Sequence, residues 1–330
     1  MSDAVSLGSV NVDRTWYLPA ERICDLENRC GWFPATGETV RIEGSPDLPA
    51  GVLEGARYRT AVGGKGSKQT VAAARAGADA AFLGCVGRDE AEYDVRETLA
   101  ERGVAVDGVT TSDRETGKAS VFVDEGGESR IAIVGGANDA VDSQYVDRSL
   151  ERLRAVNAVL LQNEIPVSAT ETALERLETD ENASERPTVV LNPAPADGAE
   201  PLVDCAAVDV IVVNEGKYVA LEDRLADADA TVVRTRGHDD VLVTDAGAVT
   251  DLRVTPPTVD AVDATGAGDT FCGYLATLLA EGEDLERAVE VATVAGSLAT
   301  ETEGVQIVIP ERGTVERALE DAFGAVGDER

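Results

Sequence analysis

A glycine-rich segment in the last third of the chain carries residues that could bind a phosphoryl group and accept a proton beside it. The segment Asp263–Asp269 reads DATGAGD and leads directly into a helical run. Gly266, Ala267 and Gly268 would leave the N–H groups at the positive end of that helix unobstructed, as an anion hole requires. Asp269 would stand beside the hole, where its carboxylate could accept a proton from an attacking hydroxyl. The pattern predicts phosphoryl transfer, although a plain Asp cap on a glycine turn looks the same.

A second glycine-rich turn, at residues 62–69, carries two lysines and leads into another helix. It reads VGGKGSKQ. Gly63 and Gly64 allow a close approach of the backbone, while Lys65 and Lys68 can donate to hydroxyl or phosphate oxygens. The turn lacks the spacing of a Walker loop. A glycine turn that binds nothing is the alternative interpretation.

Polar side chains also follow the first predicted strand, in the segment 7–13 (LGSVNVD). Open α/β sheets bind their ligands at the carboxyl ends of strands. Asn11 and Asp13 could therefore hydrogen-bond vicinal hydroxyls there, or they could be ordinary loop residues.

The elements that must position these residues alternate along the chain. Short β-branched runs such as Ala158–Gln162 and Thr231–Thr235 are separated by helical stretches rich in Ala, Leu and Glu. This alternation predicts an α/β fold with a mainly parallel central sheet covered by helices. Within a single domain of residues 1–330, two stretches break the rhythm: about 14–62, with strand-like fragments and no amphipathic helix, and 117–135, which reads as a hairpin. We expect both to form a small β lid; a disordered insertion is the alternative.

Composition excludes several classes of function. The net charge is −33 with acidic residues spread along the chain, and only four residues are Lys. Like-charge repulsion opposes binding to nucleic acid or to an anionic membrane. The acidic composition is typical of a halophilic protein. His238 is the one histidine, and the five cysteines contain no C-x-x-C pair, which excludes multi-His zinc sites. Without a signal-like start or a long apolar run, we expect a cytoplasmic protein.

Seven short motifs, in order, resemble the ribokinase family of carbohydrate kinases over nearly the whole chain. They lie at 8–13 (GSVNVD), 37–40 (GETV), 63–66 (GGKG, with Gln69 and VAAAR at 71–75), 86–89 (VGRD), 161–164 (LQNE), 191–195 (LNPAP) and 263–269. The resemblance implies a ribokinase-like three-layer fold with a β lid, and a kinase that uses ATP, Mg²⁺ and an activating monovalent cation such as K⁺. Two lids clasp into a homodimer in many members of the family.

The resemblance also implies roles for individual residues. Asp269 matches the catalytic base, with Gly266, Ala267 and Gly268 as its anion hole. The matched sugar-binding positions are Asn11, Asp13, Gly64, Lys65, Lys68 and Glu164. The matched nucleotide-binding positions are Asn214, Thr235 and Gly237, and the monovalent-cation positions are Asp263 and Thr265.

Three positions depart from the family pattern. Lys68 stands where the family usually has an Asn that contacts the sugar. Lys217 stands where the family has a Glu that helps to place Mg²⁺, so the metal would be held by phosphates and water, or by Glu215. The usual Ser near the monovalent cation is replaced around Val308.

The charge of the predicted lid suggests the substrate. Residues 14–68 carry eight basic and seven acidic residues, a net charge of +1, while the other 275 residues carry −34. Together with Lys68, this concentration of cations favours an acceptor that already carries phosphate. The alternative is that these cations pair with acids in a dimer clasp or bind only ATP. Ribose 1-phosphate, converted to ribose 1,5-bisphosphate, is the expected substrate. Free ribose is the alternative, and a sugar-binding regulator without catalysis is the alternative of another class.

Overall fold

The computed structural model describes residues 3–323 except 45, 179–185, 246–247, 303, 305 and 307. The strands are β1 (Ala4–Leu7), β2 (Asn11–Tyr17), β3 (Thr39–Arg41), β4 (Arg57–Gly63), β5 (Ala80–Val86), β6 (Val104–Ala105), β7 (Val109–Thr111), β8 (Gly117–Val123), β9 (Ser129–Val134), β10 (Ala158–Gln162), β11 (Thr188–Asn192), β12 (Val210–Asn214), β13 (Thr231–Arg236), β14 (Asp239–Asp245) and β15 (Ala248–Val254). The helices are α1 (Ala20–Arg29), α2 (Lys65–Arg75), α3 (Val95–Glu101), α4 (Ser143–Arg154), α5 (Val167–Glu178), α6 (Glu200–Val203), α7 (Glu215–Ala220), α8 (Glu222–Leu225), α9 (Ala267–Ala280), α10 (Leu285–Leu298) and α11 (Arg312–Phe323).

The central sheet confirms the predicted α/β class. Its order is β15-β14-β13-β12-β11-β10-β1-β5-β6, with β7 also paired to β5. Strands from β13 to β6 are parallel, and β14 and β15 extend one edge as an antiparallel hairpin. Parallel strands need both faces covered, which explains why β5 and β10 are buried along their whole length.

Helices cover both faces of this sheet and form a three-layer structure. On one face α2, α9, α10 and α11 pack over the sheet, with Val71, Leu275 and Val291 in the shared core. On the other face α4 and α5 pack through residues such as Val146 and Leu174. Among the described residues, no helix has both the length and the apolar character needed to cross a bilayer.

The residues expected to form the lid make a second sheet, called here the small sheet, with the order β3-β9-β8-β2-β4. Strand β2 runs antiparallel to β4 and parallel to β8, so that Asn11 is paired with both Gly63 and Gly117. Strands β8 and β9 form the predicted hairpin, and the Asp124 carboxylate accepts from the N–H groups of Gly126 and Glu128 in its turn.

The expectation that residues 14–62 contain no amphipathic helix is wrong. Helix α1 lies between β2 and β3, and its buried Ile23 and Leu26 are one turn apart. These residues pack with Trp16 and Phe122 on one face of the small sheet, opposite to the face that carries Asp13 and Thr15. Prolines obscured the pattern, but Pro19 only precedes the first turn, where proline is tolerated.

Candidate active site

The two glycine-rich turns meet at one place because α2 and α9 pack side by side. Gly273 permits this packing: a Cβ there would lie 2.4 Å from the Cβ of Ala72. The ammonium of Lys68 lies 3.3 Å from Oδ2 of Asp269, and Gln69 Nε2 donates to Oδ1 at 3.0 Å. The first turns of two helices thus place a buried carboxylate between a cation and an amide.

The electrostatics of this pair keep the carboxylate ionised. Burial by itself raises the pKa of Asp269, but the charges of Lys68, Lys65 and Lys217 and the Gln69 hydrogen bond bring that pKa below its ordinary value. Burial by itself lowers the pKa of Lys68, but the carboxylates of Asp269, Asp13 and Glu164 bring that pKa above its ordinary value, so the ammonium stays protonated. An ionised carboxylate is the form that can accept a proton.

A chain of buried amides orients Asp269, and the motif analysis did not assign it a role. Gln162 Nε2 donates to Gln69 Oε1 at 2.6 Å and to Ser6 Oγ at 3.1 Å. Gln69 and Gln162 are both fully buried. The signal available in the sequence was Gln162, a polar residue that ends an otherwise apolar strand.

The predicted sugar-binding residues Asn11, Asp13 and Glu164 are buried and lie close to Lys65 and Lys68. Glu164 accepts from the Ser9 hydroxyl at 2.5 Å and from the Lys65 N–H at 3.0 Å, and Lys65 Nζ lies 3.7 Å from its other oxygen. These contacts join the end of β10 to the start of α2.

Asn138 holds Asn11 in place and was also missed by the motif analysis. Its Nδ2 group donates to Asn11 Oδ1 at 2.8 Å, and its Oδ1 atom accepts from the Val10 N–H at 3.0 Å. Asn138 stands in a short turn after the hairpin, and nothing near it in the sequence marks it as part of the site.

Among the acids of the site, Asp13 is the one whose ionised form is most clearly disfavoured by burial. Burial raises the pKa of Asp13 to about 6; Glu164 and Asp269 also raise it, while Lys68 and Lys65 lower it. A glycine makes room for this carboxylate, because a Cβ at Gly63 would lie 2.0 Å from its Oδ2 atom. Gly64 has φ of +92°, and a Cβ there would lie 2.7 Å from Val10 Cα. The paired glycines therefore allow the backbone of 63–64 to pack against residues 10–13. They also leave that backbone open to a ligand.

The predicted anion hole lies at the start of α9 and faces a cavity. Gly266 has φ of +87°, and the Ala267 N–H donates to Ala264 at 3.3 Å. First-turn N–H groups lack acceptors within their helix. Ala267 and Gly268 line a cavity of about 570 Å³, called here the apolar cavity. Its other lining residues include Thr235, Gly237, Val241, Pro256, Val259 and Thr293.

Asn214, the remaining predicted nucleotide-binding residue, lies one strand away from this cavity. It pairs with Thr235 across β12 and β13. Its Oδ1 atom accepts from the Lys217 N–H at 3.0 Å and so caps α7. The structure places Asn214 beside the apolar cavity without including it among the lining residues described.

A second cavity, of about 490 Å³, separates the small sheet from residues 262–265 and is called here the interlayer cavity. Asp13 and Thr15 line it from β2, and Asp263 and Thr265 line it from the glycine-rich segment. Arg59, on β4, is the one cation among its described lining residues.

The two predicted cation ligands lie next to each other at this cavity. The Thr265 N–H donates to Asp263 Oδ1 at 2.9 Å, and the Gly304 N–H lies 3.4 Å from Oδ2. Arg59 Nη2 lies 3.9 Å from the same oxygen. No group of three or more His, Cys, Asp or Glu side chains suited to a metal occurs in the part of the chain that is described.

Residues 262–268 therefore form a partition with a cavity on either side: residues 262, 263 and 265 line one, and 264, 267 and 268 line the other. The ionised Asp269 carboxylate stands at the end of this partition, in the first turn of a helix. This arrangement offers one cavity at the first-turn N–H groups of a helix, a second cavity lined by polar side chains, and a proton acceptor at the end of the segment between them. The fold and site define a phosphotransferase with an alcohol acceptor.

Comparison with known proteins places that chemistry in a family. Residues 34–312 match the model of the pfkB family carbohydrate kinases. The chain belongs to this family, which confirms both the predicted resemblance and the predicted carbohydrate kinase.

Individual relatives agree with the assignment. The chain is 31% identical over 333 residues to a ribokinase of Haemophilus influenzae, covering 96% of this chain and 98% of the relative. It is 34% identical over 272 residues to an ATP-dependent ribose-1-phosphate kinase of Halopiger xanaduensis, covering 79% and 88%. The structure of Arabidopsis thaliana ribokinase complexed with ribose and ATP matches with a TM-score of 0.76 and 26% identity over 97% of this chain and 99% of that one.

Proposed function

We propose that this protein transfers the γ-phosphate of ATP to the primary 5-hydroxyl of a pentose, and that its preferred acceptor is ribose 1-phosphate. The observation that carries the transfer is the partition at 262–268, with a cavity on each side and the Asp269 carboxylate at its end.

Asp269 acts as the base in this proposal. It takes the proton of the acceptor hydroxyl while the oxygen attacks the γ-phosphorus, and the bond to ADP breaks with its electron pair on the leaving oxygen. The N–H groups at the start of α9 stabilise the charge of the transferred group. The small sheet acts as the lid: its closure excludes water and holds the hydroxyl in line.

The apolar cavity is the proposed nucleotide site. Its wall of Val241, Pro256 and Val259 suits an aromatic base, and Gly268 places backbone N–H groups at the phosphate end. Thr235 and Gly237 line the same cavity. The relative from Halopiger xanaduensis is named as ATP-dependent, and the Arabidopsis structure contains ATP.

The residues at the proposed site would bind Mg²⁺ and K⁺ in different ways. Glu215 accepts from Arg234 Nε at 2.8 Å, so its carboxylate is already occupied. Mg²⁺ would then be held by phosphate oxygens and water, where it neutralises charge on the phosphates. Asp263 and Thr265 offer the oxygens that would hold K⁺.

Arg59 is the observation that favours a phosphorylated acceptor. Its side chain is 30% exposed and lines the interlayer cavity, and its buried Nε atom has no hydrogen-bond partner among the described residues. Its pairing with Asp263 is loose, with 3.9 Å between Nη2 and Oδ2, whereas Arg41 pairs with Asp139 and Lys68 lies 3.3 Å from Asp269. The proposal therefore depends on Arg59 rather than on the overall charge of the lid.

A kinase assay in molar KCl tests the proposal, with ribose, ribose 1-phosphate, fructose, fructose phosphates, 2-keto-3-deoxygluconate and nucleosides as acceptors. We expect the largest kcat/KM with ribose 1-phosphate and a bisphosphate product by mass spectrometry. Turnover with ribose 1-phosphate no greater than with ribose would leave free ribose as the substrate. Sugar binding without turnover on any acceptor would make the protein a regulator.

A matched pair of variants locates the acceptor phosphate. Arg59→Gln should raise the KM for ribose 1-phosphate at least about tenfold, since a charged hydrogen bond is lost, and leave the KM for ribose unchanged. Arg57→Gln is the control, because Arg57 lies over the Tyr17 ring, 4.0 Å from its centroid.

The predicted homodimer through the lid is also a proposal, and the structure limits its surface. Helix α1 and Trp32 pack on the face of the small sheet that carries Trp16 and Phe122. A dimer would have to use the edges or the other face of this sheet. Light scattering after size-exclusion chromatography measures the oligomeric state.

A further inference from the structure

Lys217 is a lysine at the catalytic centre for which the described residues provide no ion pair. It lies in α7, directly after β12, and its N–H donates to the Asn214 side chain. This cap fixes the start of the helix, and hence the direction from which the lysine side chain leaves the backbone.

The charge of Lys217 reaches groups from three other elements. It is felt by Asp269 and Cys272 in α9, Lys65 at the start of α2, and Glu164 after β10. The ammonium therefore lies within range of charge–charge interaction with these groups. The short helix that bears it packs on the nucleotide side, against β12 and β13.

Nearby charges at the centre have partners, which distinguishes them from Lys217. Lys68 pairs with Asp269 and Lys65 with Glu164. No side-chain hydrogen bond or ion pair of Lys217 occurs among the described residues. An anion that enters the site would therefore meet an ammonium without a counter-ion among these residues.

The position identifies which anion this is. The strand that precedes Lys217 pairs directly with the strand that carries Thr235, at the wall of the apolar cavity. Asp269, which also feels its charge, stands where the proposed donor and acceptor meet. In the proposed reaction, a group between these two points would face the terminal phosphate of a nucleoside triphosphate.

We propose that the Lys217 ammonium binds the terminal phosphate of the nucleotide and stabilises its charge as the phosphoryl group transfers. This protein cation would act in addition to the proposed metal ion. The inference rests on the proposed function. Lys217 takes no part in bond making: the proton goes to Asp269, and the electron pair of the broken bond goes to the diphosphate.

Binding and kinetics of Lys217 variants test this assignment. Lys217→Met should weaken the Kd of metal-free tripolyphosphate, measured by calorimetry in EDTA, about tenfold or more, because a charged hydrogen bond is lost. It should also reduce kcat about 10²-fold, with the Kd of the sugar unchanged. Lys217→Arg should keep most of both properties.

Lys118→Met is the control, since Lys118, a lysine of the small sheet, pairs with Asp89 at 3.4 Å. Lys217→Gln provides a second uncharged variant if the first does not fold. Tripolyphosphate affinity and kcat within twofold of the parent protein would overturn the proposal. A loss of affinity for the sugar phosphate alone would also overturn it, by placing Lys217 in the acceptor site. Because tripolyphosphate binding needs no turnover, this result is independent of which acceptor the enzyme uses.

Discussion

The ammonium of Lys68 and the carboxylate of Asp269 form a buried ion pair, with 3.3 Å between Nζ and Oδ2. Gln69 occupies the other carboxylate oxygen. In the proposed reaction, an acceptor hydroxyl therefore approaches a carboxylate whose two oxygens already have partners. The pair keeps Asp269 ionised, and it leaves Lys68 less charge to offer to a phosphate on the substrate.

Replacing Lys68 separates its effect on the base from an effect on the substrate. Lys68→Asn removes the charge that holds down the pKa of Asp269, so the acid limb of the kcat–pH profile should move to higher pH. The preference for ribose 1-phosphate over ribose should change little, because Arg59 is the proposed phosphate contact. A collapse of that preference without a shift in pH profile would show that Lys68 binds the substrate phosphate.

Removing the base should stop chemistry and spare binding. Asp269→Asn is expected to lower kcat by about 10²–10⁴-fold, the usual contribution of a general base. The Kd of the sugar, measured by calorimetry, should stay within a few-fold, since Asp13 and Glu164 still surround Lys68. Turnover within tenfold of the parent protein would be incompatible with this role.

The raised pKa of Asp13 makes a prediction about stability. The pKa of this carboxyl is about 6 in the folded protein and near 3.8 as its ordinary value. Between these values the folded state binds more protons than the unfolded state, so the contribution of Asp13 to stability falls as pH rises. Asp13→Asn should raise the free energy of unfolding on the order of 1–3 kcal/mol at pH about 8, and hardly at pH about 4.

Denaturant unfolding at both pH values measures this difference. Asp89→Asn is a control of opposite sign. Burial acts to raise the pKa of Asp89, but hydrogen bonds from Thr116 and the charge of Lys118 lower it below its ordinary value. This replacement should destabilise the protein at the higher pH. An Asp13→Asn effect independent of pH would contradict the assigned pKa.

The aromatic cluster on the small sheet should stabilise that sheet, the proposed lid, independently of the central sheet. Phe122 is fully buried and contacts Trp16, with 5.5 Å between ring centroids. Phe122→Ala should cost about 3–5 kcal/mol in the free energy of unfolding of this sheet. Hydrogen exchange should accelerate in 11–63 and 117–134, and the KM of the acceptor should rise. Equal acceleration in the central sheet would mean that the small sheet is not an independent unit; Phe122→Leu serves as the milder variant.

Sequence patterns were sufficient where a structure is local. The alternation of strands and helices predicted the α/β sheet, and DATGAGD predicted a helix start beside an acid, because propensity and short spacing determine such features. Helix α1 was not predicted, because the prolines on either side of 20–29 outweighed the short apolar repeat of Ile23 and Leu26.

The partners of charged side chains could not be predicted in the same way. Gln69 and Asp269 are 200 residues apart, and only the packing of α2 against α9 makes them hydrogen-bond. Sequence alone predicted the family, the proposed catalytic segment and the unusual lysines at 68 and 217. The tertiary structure decided that Lys68 pairs with Asp269, that Lys217 has no ion pair among the described residues, and that Arg59 faces the interlayer cavity. The reason is physical: a residue type specifies the charge, but the neighbours that distant segments bring to it determine what that charge can bind.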